Sequence, residues 1–256
     1  MVRVTTNDRR TALRAGAAFV TAGALAAGCA THGAVAHPAP ATKSSAAKAP
    51  APRHHRAHPA QLTHGPRTHP RVALTFHGGG DPATARALLT EAERHDARVT
   101  VLAVGTWLDE HPDLARRILD GGHDLGNHTL HHLDINAMSE AGARAEITGC
   151  AQRLKRLTGS IGTWFRPSRA PRASPLVERL AQDAGYPHVL SYDVDSLDST
   201  SPGAEAVTRR VLGEIRSGSV VSLHFGYADT IAALPAVLEE LGHRGLRAVT
   251  TTELLS

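Results

Sequence analysis

Two histidines, His128 and His132, are four residues apart in the segment GNHTLHH at positions 126–132. Four residues make about one helical turn, so the two side chains would lie on one face of a helix. Imidazole nitrogens are preferred ligands of zinc and similar divalent ions. A solvent-exposed cluster of histidines explains the spacing equally well. The spacing alone therefore leaves a metal site and a surface cluster as open alternatives.

Four further residues of catalytic type follow runs that are typical of buried strands, namely His77, Asp195, Asp198 and His224. Predicted strands alternate with amphipathic helices from about residue 71 onward, which indicates an α/β fold with a mainly parallel sheet, open or closed into a barrel. The predicted strands are 72–76, 98–104, 161–165, 189–194, 219–223 and 246–250, and the helices include 82–94 and 139–157. Chemistry in such folds sits at the carboxyl ends of strands, so these side chains are expected to lie close together.

The first 70 residues have a different composition. Residues 1–28 combine several arginines with an uncharged, Ala-rich run, which predicts an export signal. The run ends in LAAGC, which is typical of a lipoprotein signal and makes Cys29 the expected lipidation site; the alternative is an ordinary secretory signal with an incidental cysteine. Residues 29–70, rich in Ala, Pro and His, predict a disordered tether. The ordered domain is therefore expected at 71–256, exported to the cell envelope and either lipid-anchored or secreted.

The charge of the chain is unevenly distributed. The sequence pI is about 9.5, but residues 71–256 hold 19 Lys and Arg against 23 Asp and Glu, a formal net charge of −4. The basic excess lies in the signal and tether, so we expect no nucleic-acid partner. Contact with a membrane is expected only through the lipid anchor, and the domain is expected to be a monomer. Cys150, the only other cysteine, is expected to be a small buried apolar residue.

From Arg71 onward the chain resembles the polysaccharide deacetylase family, the NodB-like carbohydrate esterases of family four. The family's second motif, a His-Ser/Thr pair with a second histidine four residues after the first, is matched by His128, Thr129 and His132. The resemblance implies a distorted (β/α) barrel of the NodB type, folded as a single domain. It also implies a divalent metal, expected to be zinc, and removal of acetyl groups from an N-acetylated glycan such as peptidoglycan or chitin.

The family's other motifs are present but altered. Where the family has Thr-Phe-Asp-Asp-Gly, with the first Asp as base and the second as metal ligand, this chain has TFHGGGD at 75–81, and both carboxylates are missing. The third motif keeps Arg166, which lies beside the base in the family. The fourth lacks its Trp but keeps Asp198, and the fifth keeps His224. The resemblance implies that His224 is the catalytic histidine and that Asp198 orients it.

Three arrangements of the altered first motif are open. In one, His77 joins His128 and His132 as a third metal ligand, and Asp81 is the base. In the second, the glycines fold back so that Asp81 binds the metal and His77 acts as base. We prefer the second, because His77 occupies the family's base position. In the third, the domain binds sugar without cleaving it, or serves only as a scaffold.

The sequence therefore predicts a metal-dependent polysaccharide deacetylase. Its predicted catalytic residues are His77, His224, Asp198 and Arg166, and its predicted metal ligands are His128, His132 and Asp81. The alternative is a catalytically impaired, carbohydrate-binding envelope lipoprotein on the same fold.

Overall fold

The computed structural model describes residues 58–256. The predicted export signal, the lipidation site Cys29 and most of the predicted tether lie outside the described residues. Within 58–256 no helix is both long and apolar enough to cross a membrane.

The described chain alternates strands with helices. The strands are β1 (Gln61–Leu62), β2 (Arg71–Gly78), β3 (Thr100–Ala103), β4 (Asp124–Asn127), β5 (Val189–Leu190), β6 (Val194–Asp195), β7 (Val220–His224) and β8 (Arg247–Ala248). The helices are α1 (Pro82–Arg94), α2 (Gly105–Glu110), α3 (Pro112–Asp120), α4 (Glu140–Thr158), α5 (Pro175–Asp183), α6 (Ala204–Glu214), α7 (Ala228–His243) and α8 (Thr251–Leu254). Short 3₁₀ turns lie at Ile135–Ala137 and Asp198–Thr200.

The strands form a curved, parallel sheet. Its order is β4-β3-β2-β7-β6, with β8 paired to β2, and every strand pair is parallel. Phe165 makes isolated parallel bridges to Asn127 and Val189, which join the β4 edge to the β1-β5 pair. The sheet therefore curves round into a distorted barrel, as predicted.

The central strand β2 is apolar on both faces. Residues Val72 to Phe76 are all buried. This is expected for a parallel strand with helices packed on one face and the side chains of the barrel interior on the other. The main apolar cluster joins this strand to α1, α3 and α7. Cys150, on α4, is buried and free, as expected, and burial raises the pKa of its thiol to about 12.

The ordered fold begins before Arg71. β1 pairs with β5, and Arg67 forms an ion pair of 2.7 Å with Asp193. The predicted boundary was too late because residues 58–70 contribute mainly backbone pairing and polar contacts. Their composition gives no run of apolar side chains that would indicate a strand.

Candidate metal centre and active site

The register of the sheet brings His77 and His224 together. His77 is the penultimate residue of β2, His224 is the last residue of β7, and the two are directly paired across the parallel strands. Their ring centroids are 4.3 Å apart. The carboxyl ends of two neighbouring strands thus place two imidazoles at one end of the barrel.

His128 follows β4 and is fully buried. Its Nδ1 lies 3.1 Å from the carbonyl oxygen of Arg166. A carbonyl only accepts hydrogen bonds, so Nδ1 carries the proton and the lone pair is on Nε2. That Nε2 is buried and has no hydrogen-bond partner in the protein. A buried lone pair without a partner is what a metal ligand requires.

The segment between the two motif histidines is a loop and not the predicted helical turn. Thr129 and His132 have positive φ angles of 70° and 57°, in the left-handed region. Side chains hold this shape: the Asn127 amide oxygen accepts the Thr129 N–H at 2.8 Å, and the Thr129 hydroxyl accepts the His132 N–H at 3.2 Å. These local bonds compete with helical hydrogen bonding, which explains the difference.

Three histidines form a group that could hold a metal ion. One ring nitrogen from each of His77, His128 and His132 lies within 4.8 Å of the other two. Burial is the main cause that lowers the pKa of all three. Repulsion from neighbouring histidines adds to it for His77 and His128, whose pKa falls well below its usual value, and repulsion from Arg169 and His224 adds to it for His132. The rings are therefore neutral at neutral pH. Three neutral imidazoles are a known ligand set for catalytic zinc.

Asp81 does not join this group. Its carboxylate caps α1 and accepts hydrogen bonds from the backbone N–H and the hydroxyl of Thr84, both at 2.9 Å. These bonds lower the pKa of the exposed Asp81 carboxyl. The arrangement that we preferred, with Asp81 on the metal and His77 as base, is therefore not the one observed. Asp81 is held by the helix that it starts, and His77 lies with His128 and His132.

The next position of the first motif has no room for a side chain. A Cβ on Gly78 would lie 2.9 Å from Val101 Cγ1 and 3.0 Å from the Cα of Ala103, both on β3. Further along the loop, Gly80 has a φ of 86° and approaches Gly226 so closely that a Cβ would be 2.7 Å from the Gly226 Cα. Gly78 and Gly80 therefore fit a tightly packed backbone.

His224 is paired with a buried carboxylate. Its Nδ1 is 2.7 Å from Asp198 Oδ1, and its backbone N–H donates to Asp198 Oδ2 at 2.8 Å. Thr230 donates a third hydrogen bond to the same carboxylate. Burial tends to raise the pKa of Asp198, but these hydrogen bonds outweigh it and the pKa is lowered. Asp198 is thus ionised, fixes the proton on His224 Nδ1 and leaves His224 Nε2 available.

Arg166 is fully buried behind the site. It donates to the carbonyl oxygens of Leu190 and Ser191 at 3.0 and 3.1 Å, and its guanidinium lies 5.3 Å from the Tyr192 ring centroid. Burial lowers its pKa to about 10, so it is still charged at neutral pH. In this chain Arg166 holds the carbonyl oxygens at the end of β5, and position 77 has no carboxylate for it to orient.

The histidines of the site line two adjoining cavities. One has a volume of about 480 Å³ and includes Trp107 and Tyr227 in its wall. The other, of about 190 Å³, is bounded by more polar residues, including Arg169 and Asp195. His77, His132 and His224 belong to both, so a bound molecule could extend to either side of the metal group.

Comparison with known proteins identifies the class to which this fold and site belong. A sequence model described as polysaccharide deacetylase matches residues 64–189. A peptidoglycan-N-acetylglucosamine deacetylase of Bacillus cereus is 32% identical over 188 residues, which cover 72% of this chain and 87% of that protein. The chain belongs to the polysaccharide deacetylase family, the NodB-like carbohydrate esterases of family four, as predicted.

More distant relatives and solved structures agree with this assignment. A chitooligosaccharide deacetylase of Bradyrhizobium is 30% identical over 197 residues, covering 68% of this chain and 85% of that protein. The structure of the Bc1960 peptidoglycan N-acetylglucosamine deacetylase superposes with a TM-score of 0.72 at 26% identity, over 77% of this chain and 92% of that one. A mutant of BA3943, a family-four pseudoenzyme with restored enzymatic activity, gives a TM-score of 0.73 at 25% identity, over 78% and 72%. The fold is confirmed as the NodB-type barrel.

Proposed function

We propose that this protein is a metal-dependent deacetylase of an N-acetylated glycan of the peptidoglycan or chitooligosaccharide type. The observation that carries the proposal is that four histidines line one cavity: the group His77, His128 and His132, and His224, which is held from behind by the buried Asp198. The names of the relatives support the substrate class.

The three-histidine group would hold the ion, and zinc is the expected metal because three imidazoles with an open position suit it. A bound divalent ion would polarise the acetamide carbonyl and lower the pKa of a coordinated water. The protein's own residues keep three neutral nitrogens within 4.8 Å of one another. The buried, unpaired His128 Nε2 supports this fit.

His224 carries the proton that the reaction needs. Asp198 holds His224 Nδ1 protonated at 2.7 Å, so the lone pair on His224 Nε2 can take a proton from the attacking water and deliver it to the amine nitrogen as the C–N bond breaks and acetate leaves. Asp198 and Arg166 are positioning residues in this scheme, because neither lines the larger cavity. Asp81 remains a helix cap and takes no part.

The test is acetate release by the full chain from chitooligosaccharide and from purified peptidoglycan, with and without added zinc. We expect release that requires both metal and His224. The His224→Ala variant should be inactive, and His243→Ala, which removes an exposed histidine on α7, should leave the rate unchanged. Metal-loaded, folded protein that releases no acetate from either substrate would overturn the proposal.

A second candidate is a carbohydrate-binding protein with impaired catalysis. The missing carboxylates at positions 77 and 78 favour it, and a family-four pseudoenzyme has the same fold. The same assay separates the two functions when glycan binding is measured in parallel. Binding of a chitooligosaccharide without acetate release, in zinc-loaded protein, would identify the binder.

We further propose that the protein is exported and carries lipid on Cys29, as the sequence of residues 1–29 indicates. The expected result is that the protein sediments with the membrane fraction and that Cys29→Ser shifts it to the soluble fraction. An unchanged distribution of Cys29→Ser would contradict lipidation.

A further inference from the structure

Glu146, on α4, is a buried carboxylate that contacts the metal-binding loop. The residue is 4% exposed. Its Oε2 accepts the backbone N–H of His131 at 2.8 Å, and its Oε1 lies 2.6 Å from His131 Nδ1. Both oxygens are thus directed at one residue, which stands between the two loop ligands His128 and His132.

A buried carboxylate requires compensating partners. Removing a carboxylate from water is costly unless hydrogen bonds replace its hydration. The hydrogen bonds found for Glu146 among the described residues are those with His131. The loop therefore supplies the groups that compensate the burial of Glu146, and Glu146 in turn restrains the loop.

The loop needs such restraint. Two of its residues, Thr129 and His132, have positive φ angles although neither is glycine, and this conformation persists only where surrounding contacts impose it. Asn127 holds the start of the loop through the Thr129 N–H, and the Thr129 hydroxyl accepts the N–H of His132 at its end. Glu146 holds His131, the residue just before His132.

We propose that Glu146 is a positioning residue for the metal site, which fixes the loop so that His128 and His132 direct their nitrogens at the same point as His77. The inference rests on the proposed metal site and deepens it. Glu146 acts through the backbone and ring of His131 and does not touch the metal or the substrate. It belongs to a second layer of residues that the family motif at 128–132 does not include.

The experiment measures zinc affinity of the full chain by competition with a chromogenic chelator, independently of activity. Changes in outer-layer partners typically lower metal affinity by about 10–100-fold, and we expect Glu146→Ala to do so. Glu146→Gln keeps one acceptor and should lose less affinity. Glu140→Ala, which removes an exposed carboxylate from the same helix, is the matched control and should bind zinc like the unmodified protein.

A purely structural role gives a different result. In that case Glu146→Ala would lower the melting temperature of the metal-free protein but leave zinc affinity and the visible spectrum of the cobalt-loaded site unchanged, and the inference would be overturned. If Glu146→Ala does not fold, Glu146→Gln takes its place in the test. Unchanged zinc affinity in Glu146→Gln would then overturn the inference. Failure of the unmodified protein to bind zinc would instead overturn the proposed metal site together with this inference.

Discussion

His128 and His224 lie in the same cavity but have different partners on Nδ1. His128 donates to a backbone carbonyl, that of Arg166, whereas His224 donates to the ionised carboxylate of Asp198. A carbonyl fixes the tautomer without adding charge, and burial then keeps the ring of His128 neutral. A carboxylate fixes the same tautomer and also stabilises a positive ring. The first environment suits a metal ligand and the second suits a proton carrier.

In the proposed mechanism one residue type performs two tasks because a different acceptor lies behind each ring. Burial keeps the rings of the three-histidine group neutral, so each has a nitrogen lone pair that can bind a metal. The Asp198 carboxylate holds one proton on the ring of His224, which favours proton transfer through the other nitrogen. Variants that change one environment should therefore leave the other function intact.

The largest effect is expected from removing a ligand. His77→Ala should weaken zinc binding by more than about 100-fold, beyond what changes of outer-layer partners cost, and should abolish acetate release. Asp81→Ala should leave zinc affinity unchanged. Competition with a chelator measures the zinc affinity of both variants. The opposite pattern, loss of zinc with Asp81→Ala and retention with His77→Ala, would restore the arrangement that the sequence favoured.

The next effect concerns the proton carrier. Asp198→Asn preserves the shape of the side chain but removes the charge that fixes His224, so we expect kcat to fall by roughly 10²–10⁴-fold. Zinc affinity should not change, since Asp198 does not belong to the metal group. Parallel kinetics and zinc titration check this. If Asp198→Asn lowered zinc affinity as well as kcat, the surroundings of His224 and the three-histidine group would be coupled.

A smaller effect is expected at the start of α1. Asp81→Ala removes the cap of the helix and should lower the melting temperature, while Asp81→Ser, which can also cap, should largely restore it. Thermal unfolding monitored by circular dichroism is the measurement. Equal melting temperatures for all three proteins would show that the Thr84 contacts do not stabilise the fold.

The smallest effect comes from a buried histidine outside the site. His123 accepts the Val99 N–H on Nδ1 and contacts Glu93 through Nε2. Burial lowers its pKa, and Glu93 offsets this only in part. Below about pH 6.5 the unfolded chain then binds a proton that the folded one does not, so stability falls as the pH decreases.

His123→Gln should make this pH dependence shallower. Urea unfolding at pH 7.5 and pH 5 measures it, with the exposed His243→Gln as control. An unchanged slope for His123→Gln would indicate that other buried groups, such as the three-histidine group, cause the acid sensitivity.

Much of the fold could be predicted because its signals are local. Helix α1 has the predicted bounds of 82–94, and the apolar runs before His77 and His224 form β2 and β7. The predicted strand at 161–165 is reduced to the isolated bridges of Phe165. Such short pairings depend on neighbours that are distant in sequence.

The site was predictable only in part. The spacing of His128 and His132 predicted two members of the three-histidine group, but the choice between His77 and Asp81 depended on how the glycine loop packs, which no local pattern encodes. Glu146 was missed, although a signal existed: a charged residue lies on the apolar face that α4 shares with Ala143, Ile147 and Cys150. Its partner is a loop 15 residues away in sequence.

The packing around Gly78 limits which residues position 78 can hold. The family places a metal-binding carboxylate there, and here β3 fills the space with Val101 and Ala103. A single substitution to Asp would meet backbone and side chain at about 3 Å, closer than Cβ contacts normally are. The family's pair of carboxylates would thus require coordinated changes on β2 and β3, whereas the three-histidine group fits the present packing of these strands.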